Sequence, residues 1–389
     1  MQRRHWLQQG AALHLAAALW PHAARAGQEE SVQGRRLLVV MLRGAMDGLC
    51  AVPAVGDPQL LPLRERLVAH PLLPLSADFA LHPRLAEWHQ AWQAGQLAIV
   101  HATSFAYRGR SHFEGQDIMQ TGRAVPYASG TGWLGRALQA SGLGSAVALS
   151  IPMPLLLRGH DRSDTRMATW LPTPPAALMQ RVGREWAEDP VLAAYALALP
   201  TAQTSPAGAP MNEPLGIRRS PWGLAREAGR AMQASEGPRV GLIDLHGFDT
   251  HASQGGAEGT HADRLGSLND VLRGFREGIG ERWQEALVVT LTEFGRTAQE
   301  NGTTGTDHGW GSAILMAGGL VPRSQVVADW PGLARAQLFE GRDLQVTTDA
   351  ATVYAQVLHS VLGLPPERVA REVMAFNPAH WREGLLRNL

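Results

Sequence analysis

The sequence predicts an α/β fold, a parallel sheet with helices on both faces, and three observations carry that prediction. Continuous apolar runs of strand length recur at Arg36–Leu42, Leu97–His101, Arg239–Leu245, Leu287–Leu291 and Ala313–Ala317, as expected of strands buried on both faces. Segments with helical spacing alternate with them. Several runs end in loops that hold Asp, Glu, Arg or His, and in sheets of this type ligands sit beyond the carboxyl ends of the strands.

Composition narrows the chemistry. The 389 residues are long enough to bury a sizeable core, with 35 basic and 35 acidic residues and a formal net charge of zero. No basic patch stands out beyond the first residues, so nucleic-acid binding has no support. Every basic residue is Arg. The absence of Lys excludes a P-loop lysine, a Schiff-base lysine and a Ser-Lys dyad. The lone cysteine, Cys50, has no intramolecular disulfide partner and sits in an apolar context, as a small buried hydrophobe would.

Residues 1–26, MQRRHWLQQGAALHLAAALWPHAARA, have the layout of an export signal. Arg3 and Arg4 precede the apolar segment Ala11–Trp20, and Ala24-Arg25-Ala26 offers a small-x-small cleavage site. The apolar segment is shorter than the about 20 residues of a membrane-spanning helix. Arg3-Arg4-His5-Trp6-Leu7 resembles the twin-arginine motif, with Trp6 at a place more often filled by Phe or Leu; a general secretory signal or an uncleaved anchor is the alternative. The expectation is engagement of the twin-arginine export machinery and a periplasmic or secreted mature protein with no membrane span.

After a polar linker at 27–35, the first strand ends in Arg43-Gly44-Ala45-Met46-Asp47-Gly48. Glycines around an Asp at a strand end suit a tight turn that presents one carboxylate, although Asp before Gly is also an ordinary turn former. Residues 52–83 read as an irregular, Pro- and Leu-rich excursion. Leu85, Trp88 and Trp92 mark a helix over Leu85–Ala94. Beyond the strand Leu97–His101, Ser111 and Glu114 form an S-x-x-E pattern, the signature of a capping box at a helix start. Such a start also aims backbone N–H groups at an anion, so Ser111 reads either as a cap or as a nucleophile.

Residues from about 150 to 222 carry many prolines and the low-complexity patch Thr201–Pro210; they read as helices and loops inserted between strands. A helix over 222–235 leads to the strand Arg239–Leu245, which runs into His246-Gly247-Phe248-Asp249-Thr250-His251. Asp249 and His251, two residues apart at a strand end, suit a metal with oxygen and imidazole ligands. Leu265, Leu268, Val271, Leu272 and Phe275 make one face of a core helix over His261–Gly280. The strands Leu287–Leu291 and Ala313–Ala317 then flank a loop with Glu293, Arg296, Asp307, His308 and five glycines. Arg296 is placed to hold an anionic group, as Arg43 or Arg110 would be. A closing helix, Ala350–Leu362, has Asp349 as its cap.

Carboxylates, imidazoles and a candidate hydroxyl nucleophile in four strand-end loops fit metal-assisted hydrolysis, in which a metal lowers the pKa of the nucleophile and stabilises oxyanion charge. RGAMDG, RSHFEGQD, GFDTHASQ, TEFGRT and GTDHGWG, in that order behind a paired-arginine signal, resemble the exported bacterial proteins grouped as DUF1501. The resemblance spans roughly residues 36 to 365. That family is grouped with the alkaline phosphatase and sulfatase superfamily, which implies a single three-layer α/β/α domain over 36–389 with a mostly parallel central sheet. It also implies a site for one or two divalent ions, zinc or else calcium or magnesium. By the superfamily's pattern, Asp47 matches the first-strand metal ligand and Ser111 the nucleophile. Asp249, His251 and His308 match metal ligands in the same way. Glu293-Phe294-Gly295 lies where Asp-His-Gly is common, so Glu293 remains a ligand candidate while Phe294 supplies none. Trp310 departs from the family's usual His.

The reading that results is an exported metal-dependent hydrolase of a small anionic ester, phosphate or sulfate. Asp47, Asp249, His251, Glu293 and His308 are the expected ligands, with Ser111 and Arg296 as catalytic candidates. The alternative is a secreted metal-binding or accessory protein that retains the fold without the reaction.

Overall fold

The eight residues Arg36–Arg43, RLLVVMLR, contain nothing polar between their two arginines, and they form a central strand, β1. Its alternate side chains enter two different cores. Leu37, Val39 and Met41 pack with residues of the helices α2 (His112–Thr121), α3 (Trp133–Ser141) and α6 (Ala350–Leu362). Leu38, Val40 and Leu42 pack with α1 (Ala86–Gln93), α4 (Pro221–Gln233) and α5 (Thr260–Ile279). Two apolar cores on opposite faces of one sheet make the three layers expected from the sequence. The computed structural model describes residues 32–150, 152–166, 176–189, 192 and 215–388. The export signal at 1–26, most of the 27–35 linker and much of the 150–222 region lie outside the described residues.

The remaining strands of this sheet are β2 (Leu97–Ser104), β3 (Ala146–Ala148), β4 (Ser163–Thr165), β5 (Val240–His246), β6 (Ala286–Leu291), β7 (Ser312–Ala317), β8 (Gln325–Val327) and β9 (Thr348–Asp349). Their order is β8-β2-β7-β6-β1-β5-β3-β4, with β9 extending the edge beside β2. β1 pairs in parallel with β5, Leu37 opposite Val240, and with β6, Arg36 opposite Ala286. One strand departs from the parallel expectation: β7 runs antiparallel to both β2 and β6. The chain returns from β6 through a loop with no helix in it, and a direct return reverses direction where a crossover helix would preserve it. Part of the 150–222 region also proves to belong to the sheet, since β4 pairs with β3 at its edge. Strands of two or three residues are too short to reveal a period.

Two glycines bring the strand-end loops close together. Gly44, at φ +111°, lies so near Asp249 that a Cβ would sit 2.4 Å from its backbone nitrogen. Gly295 meets Gly311, where a Cβ would fall 1.8 Å from the carbonyl oxygen. No side chain other than hydrogen fits at either place.

Asp47 caps the single turn Gly48–Ala51 by accepting from the Cys50 N–H. Its carboxylate is buried against Arg64, whose Nη1 lies 2.8 and 2.9 Å from the two oxygens, and it also accepts from Gln254 Nε2 at 2.7 Å. Arg64 in turn donates to the carbonyls of Thr297 and Ala298. Cys50 is buried beside this group, with Sγ near Arg64 and Gln254. Burial works to raise the Asp47 pKa, but Arg64 overrides it and the net value falls to about 2. A depressed carboxylate stabilises the fold above its unfolded pKa near ~3.9 and loses that contribution as pH falls through the folded value. Wild type is therefore expected to lose about 2 kcal/mol between pH 4 and pH 2 that Asp47→Asn does not lose. At pH 7 the variant, with Arg64 left unpaired, is expected to be less stable by about 3–5 kcal/mol in denaturant melts. Identical acid profiles for the two proteins would defeat this account.

Candidate metal centre

The loops that follow β1, β2, β5 and β6 meet at the carboxyl edge of the sheet. His112, the first residue of α2, points its Nε2 at His308 Nε2, 2.9 Å away. His251 Nε2 is also 2.9 Å from His308 Nε2. Asp249 Oδ1 joins them at 3.0 Å from His251, 3.2 Å from His308 and 3.3 Å from His112, in each case to Nε2. His112, Asp249 and His308 satisfy a mutual spacing suited to one ion, and His251 adjoins them.

Each imidazole is held from behind by its other nitrogen. His112 Nδ1 faces Glu293 Oε1 at 2.9 Å, His308 Nδ1 faces the Arg110 carbonyl at 2.8 Å, and His251 Nδ1 faces Asp307 Oδ1 at 3.2 Å. A carbonyl or an ionised carboxylate only accepts, so each Nδ1 carries its hydrogen and each neutral Nε2 presents a lone pair. Three lone pairs and a carboxylate oxygen then converge with no donor among them. One added proton cannot satisfy the group: an imidazolium at His112 would still leave His251 Nε2 facing only His308 Nε2 and Asp249. A cation set between His112, Asp249 and His308 answers those three donors, with His251 beside it. Donors about 2.0–2.1 Å from a tetrahedral zinc lie roughly 3.3 Å from one another, close to the 2.9, 3.2 and 3.3 Å that separate His112, Asp249 and His308. A histidine ligand backed by a carboxylate or carbonyl is also the usual arrangement behind a metal. The residues present fit a divalent ion.

The supports are themselves fixed. Glu293 is buried, and Oε1 also accepts from the Gly44 N–H at 2.9 Å and from Gln116 Nε2 at 3.1 Å. Burial acts to raise its pKa, but His112 and the backbone donors prevail and hold it below the usual carboxylate range. Burial likewise acts against Asp249, yet the Arg296 guanidinium brings it to about 2. For His112, burial opposes the charged form while Glu293 outweighs it and raises the pKa. His308 is lowered, chiefly by burial. Arg110 adopts φ +55°, which turns its carbonyl to His308, while its side chain is tied to Asp343 and Glu340.

The structure brings Asp249, His251 and His308 together as ligand candidates and places Glu293 one step behind them, on His112. It does not bring Asp47 into the group. Arg296 is wholly buried: Nε donates to the Ala45 carbonyl, Nη1 to Thr306, and Nη2 to Gly44, Phe248 and the Asp249 carboxylate at 2.6 Å. With its N–H groups so engaged, it organises the site and has none directed at an anionic substrate. Ser111 stands in extended backbone just before α2, and its side chain makes no capping bond. The S-x-x-E capping box is absent because Glu114 accepts instead from the Tyr107 hydroxyl at 2.7 Å. His112 is the residue to which sequence reasoning, having placed it beside Ser111 at a strand end, assigned no role. Its signal was Gln116, one helical turn on, since residues at that spacing share a face and both reach Glu293 Oε1. Phe294 stacks on the His112 ring at 5.1 Å, an apolar wall beneath the cluster.

A doubly wound α/β protein with three histidines and a carboxylate converging at the carboxyl edge of its sheet is thus defined by fold and site together. The chain belongs to the family described as protein of unknown function DUF1501, whose sequence model matches residues 71–374. Among curated proteins, none matches the sequence. Similar solved structures include the phosphonate monoester hydrolase of Agrobacterium radiobacter, with TM-score 0.39, 12% identity, and coverage of 90% of this chain and 79% of that one. The PsFucS1 sulfatase from Pseudoalteromonas sp. is similar at TM-score 0.41 and 12% identity, over 93% and 77% of the two chains. Alkaline phosphatase from the Antarctic bacterium TAB5 is similar at TM-score 0.34 and 9% identity, over 75% and 94%.

Arg296→Met would leave the carbonyls of Gly44, Ala45, Phe248 and Thr306 short of a donor. The expected loss is about 3–5 kcal/mol in denaturant melts, against less than about 0.5 kcal/mol for the same change at exposed Arg335. Equal stabilities would remove the organising role.

Proposed function

We propose that the protein is an exported, metal-dependent hydrolase of small anionic esters, phosphate or sulfate, with a divalent cation held by His112, Asp249 and His308 and with His251 adjoining them. The observation that carries the reading is the convergence of three imidazole lone pairs and a carboxylate oxygen, each imidazole fixed from behind by an acceptor. The predominance of imidazole over oxygen ligands favours zinc over calcium or magnesium. When bound, such an ion supplies Lewis-acid polarisation of the ester and stabilises charge that develops on oxygen.

The chain's own residues do the rest. Glu293, the Arg110 carbonyl and Asp307 keep the imidazole protons on Nδ1, so the Nε2 faces remain basic. Arg296 keeps Asp249 ionised and aimed. The first N–H groups of α2, with no helical acceptors of their own, would donate to an anionic group of the ester placed at the helix start. Ser111, beside His112 and making no cap, is the candidate nucleophile. Its hydroxyl would lose its proton to a neighbouring base and attack the phosphorus or sulfur centre as the bond to the ester oxygen breaks, the departing alcohol taking up a proton. Water would then hydrolyse the seryl ester to free phosphate or sulfate and restore the serine. Asp47, engaged by Arg64, and Phe294, in place of an imidazole, leave one cluster of donors, suited to one ion. The same two residues favour, as a second reading, a metal-binding accessory protein without turnover.

Metal content of the purified protein, measured beside His308→Ala, tests the centre. About one zinc per chain is expected in wild type, and at least tenfold weaker binding in the variant. No metal in either protein after growth in metal-replete medium would sink the proposal. With metal bound, a screen of aryl phosphates and sulfates separates the two readings: turnover that falls at least a hundredfold in Ser111→Ala supports the hydrolase. Bound metal with no turnover leaves the accessory reading.

Export through the twin-arginine route rests on Arg3 and Arg4, which lie outside the described residues; among those described, no helix is long and apolar enough to cross a membrane. Replacing both arginines by Lys is expected to hold the precursor in the cytoplasm, read by fractionation. Unchanged export would refer the signal to the general secretory route.

A further inference from the structure

At the carboxyl ends of β2 and β9 lies a cavity of about 460 Å³, walled by Phe105, Ile118, Trp310 and Phe376. It is separate from the histidine cluster. Ile118 and Gly122 line it, six and ten residues along from His112, a rise of roughly 9–15 Å at helical spacing. Its size falls within the range of small-molecule sites, and strand ends are where such sites occur.

Two further observations say what it takes. Ser104, only 6% exposed, lines the cavity, and its hydroxyl has no hydrogen-bond partner among the described residues. A buried hydroxyl without a partner is unfavourable, and such atoms call for an explanation. At the rim, Arg123 is exposed and has no carboxylate partner among the described residues. Nearby Arg136 spends its donors on the carbonyls of Thr121, Thr131 and Val373 and neutralises nothing. Burial, and then the charge of Arg123, lower the Arg136 pKa to about 10. Asp349, the opposing charge on the wall, accepts from the N–H groups of Ala351 and Asn377 and from the Thr352 hydroxyl, neutral donors that leave its charge in place. The walls are largely apolar, and Arg123 with nearby Arg136 outweighs the single charge of Asp349, so the mouth is net positive.

We propose that this cavity is a second binding site, for an amphipathic carboxylate whose hydrocarbon body lies against Phe105, Ile118 and Phe376 and whose head pairs with Arg123. The Ser104 hydroxyl offers a polar contact within the cavity. An acyl chain and an aryl ring share this chemistry, and two probes separate them.

Isothermal titration of the purified full chain with octanoate and with 3-phenylpropionate is the test. Saturable binding of one or both at one per chain is expected, with octanol, which lacks the charge, at least tenfold weaker. Arg123→Ala should bring the better carboxylate down to the level of octanol. Ala124→Trp, at an exposed position on the rim, should abolish binding, and His308→Ala should leave it unchanged. Both rim positions are exposed, and thermal melts of the variants verify that the fold persists. No saturable binding tighter than about 10 mM would overturn the proposal. So would binding that survives Ala124→Trp and disappears in His308→Ala, since that places the carboxylate on the histidine cluster.

Discussion

A single buried guanidinium, that of Arg296, holds the carboxyl edge of the sheet together. It takes carbonyls from the loop after β1 (Gly44 and Ala45), from the loop after β5 (Phe248) and from Thr306, and it pairs with Asp249. Arg stays charged at any ordinary pH, so in a buried position every donor needs a partner. The loops cannot separate without exposing that unmet charge. The positions of Asp249, of His251 two residues on and of His308 two residues after Thr306 follow from this one requirement. Arg64 performs a similar task a layer behind, joining Asp47 to the carbonyls of Thr297 and Ala298.

The two aspartates that follow central strands have different fates, and the reason lies outside their own loops. Asp249 is partly open and faces imidazoles; Asp47 is sealed beneath Arg64. Nothing local distinguishes them, because both sit near glycine at a strand end. The partner that decides the matter, Arg64, comes from the stretch 52–83, at the end of the five-residue helix Leu60–Arg64, which is too short to show which side chains turn inward. Long apolar strands and helices with a regular stripe were legible for the opposite reason, since their period states which face is buried. The direction of β7 was legible in retrospect from the missing helix before it. The three-residue strands carry too little pattern to be found.

Asp249, His251 and His308 were legible as a group because metal-ligand residue types stood at strand ends in short, ordered motifs. His112 was harder to see. It looked like the neighbour of Ser111, and only the tertiary position of Glu293 reveals that it is the residue turned to the cluster. Phe294 carries a different lesson. As a residue without a ligand atom it reads as a loss, yet its ring lies 5.1 Å from His112 and 5.4 Å from His308 and keeps water from one side of both. An apolar floor weakens competition from solvent for the imidazole nitrogens and strengthens each electrostatic contact above it.

Cys50 has a practical consequence. The only thiol in the chain is buried against Arg64, Gln254 and the Leu67 carbonyl, and burial raises its pKa well beyond the ordinary value, so it stays protonated and out of reach of reagents. With no lysine either, the folded molecule is almost silent toward the two commonest labelling chemistries. A cysteine introduced anywhere on its surface would be a unique handle, ready for a fluorophore, a spin label or a crosslinker without first removing anything the fold depends on.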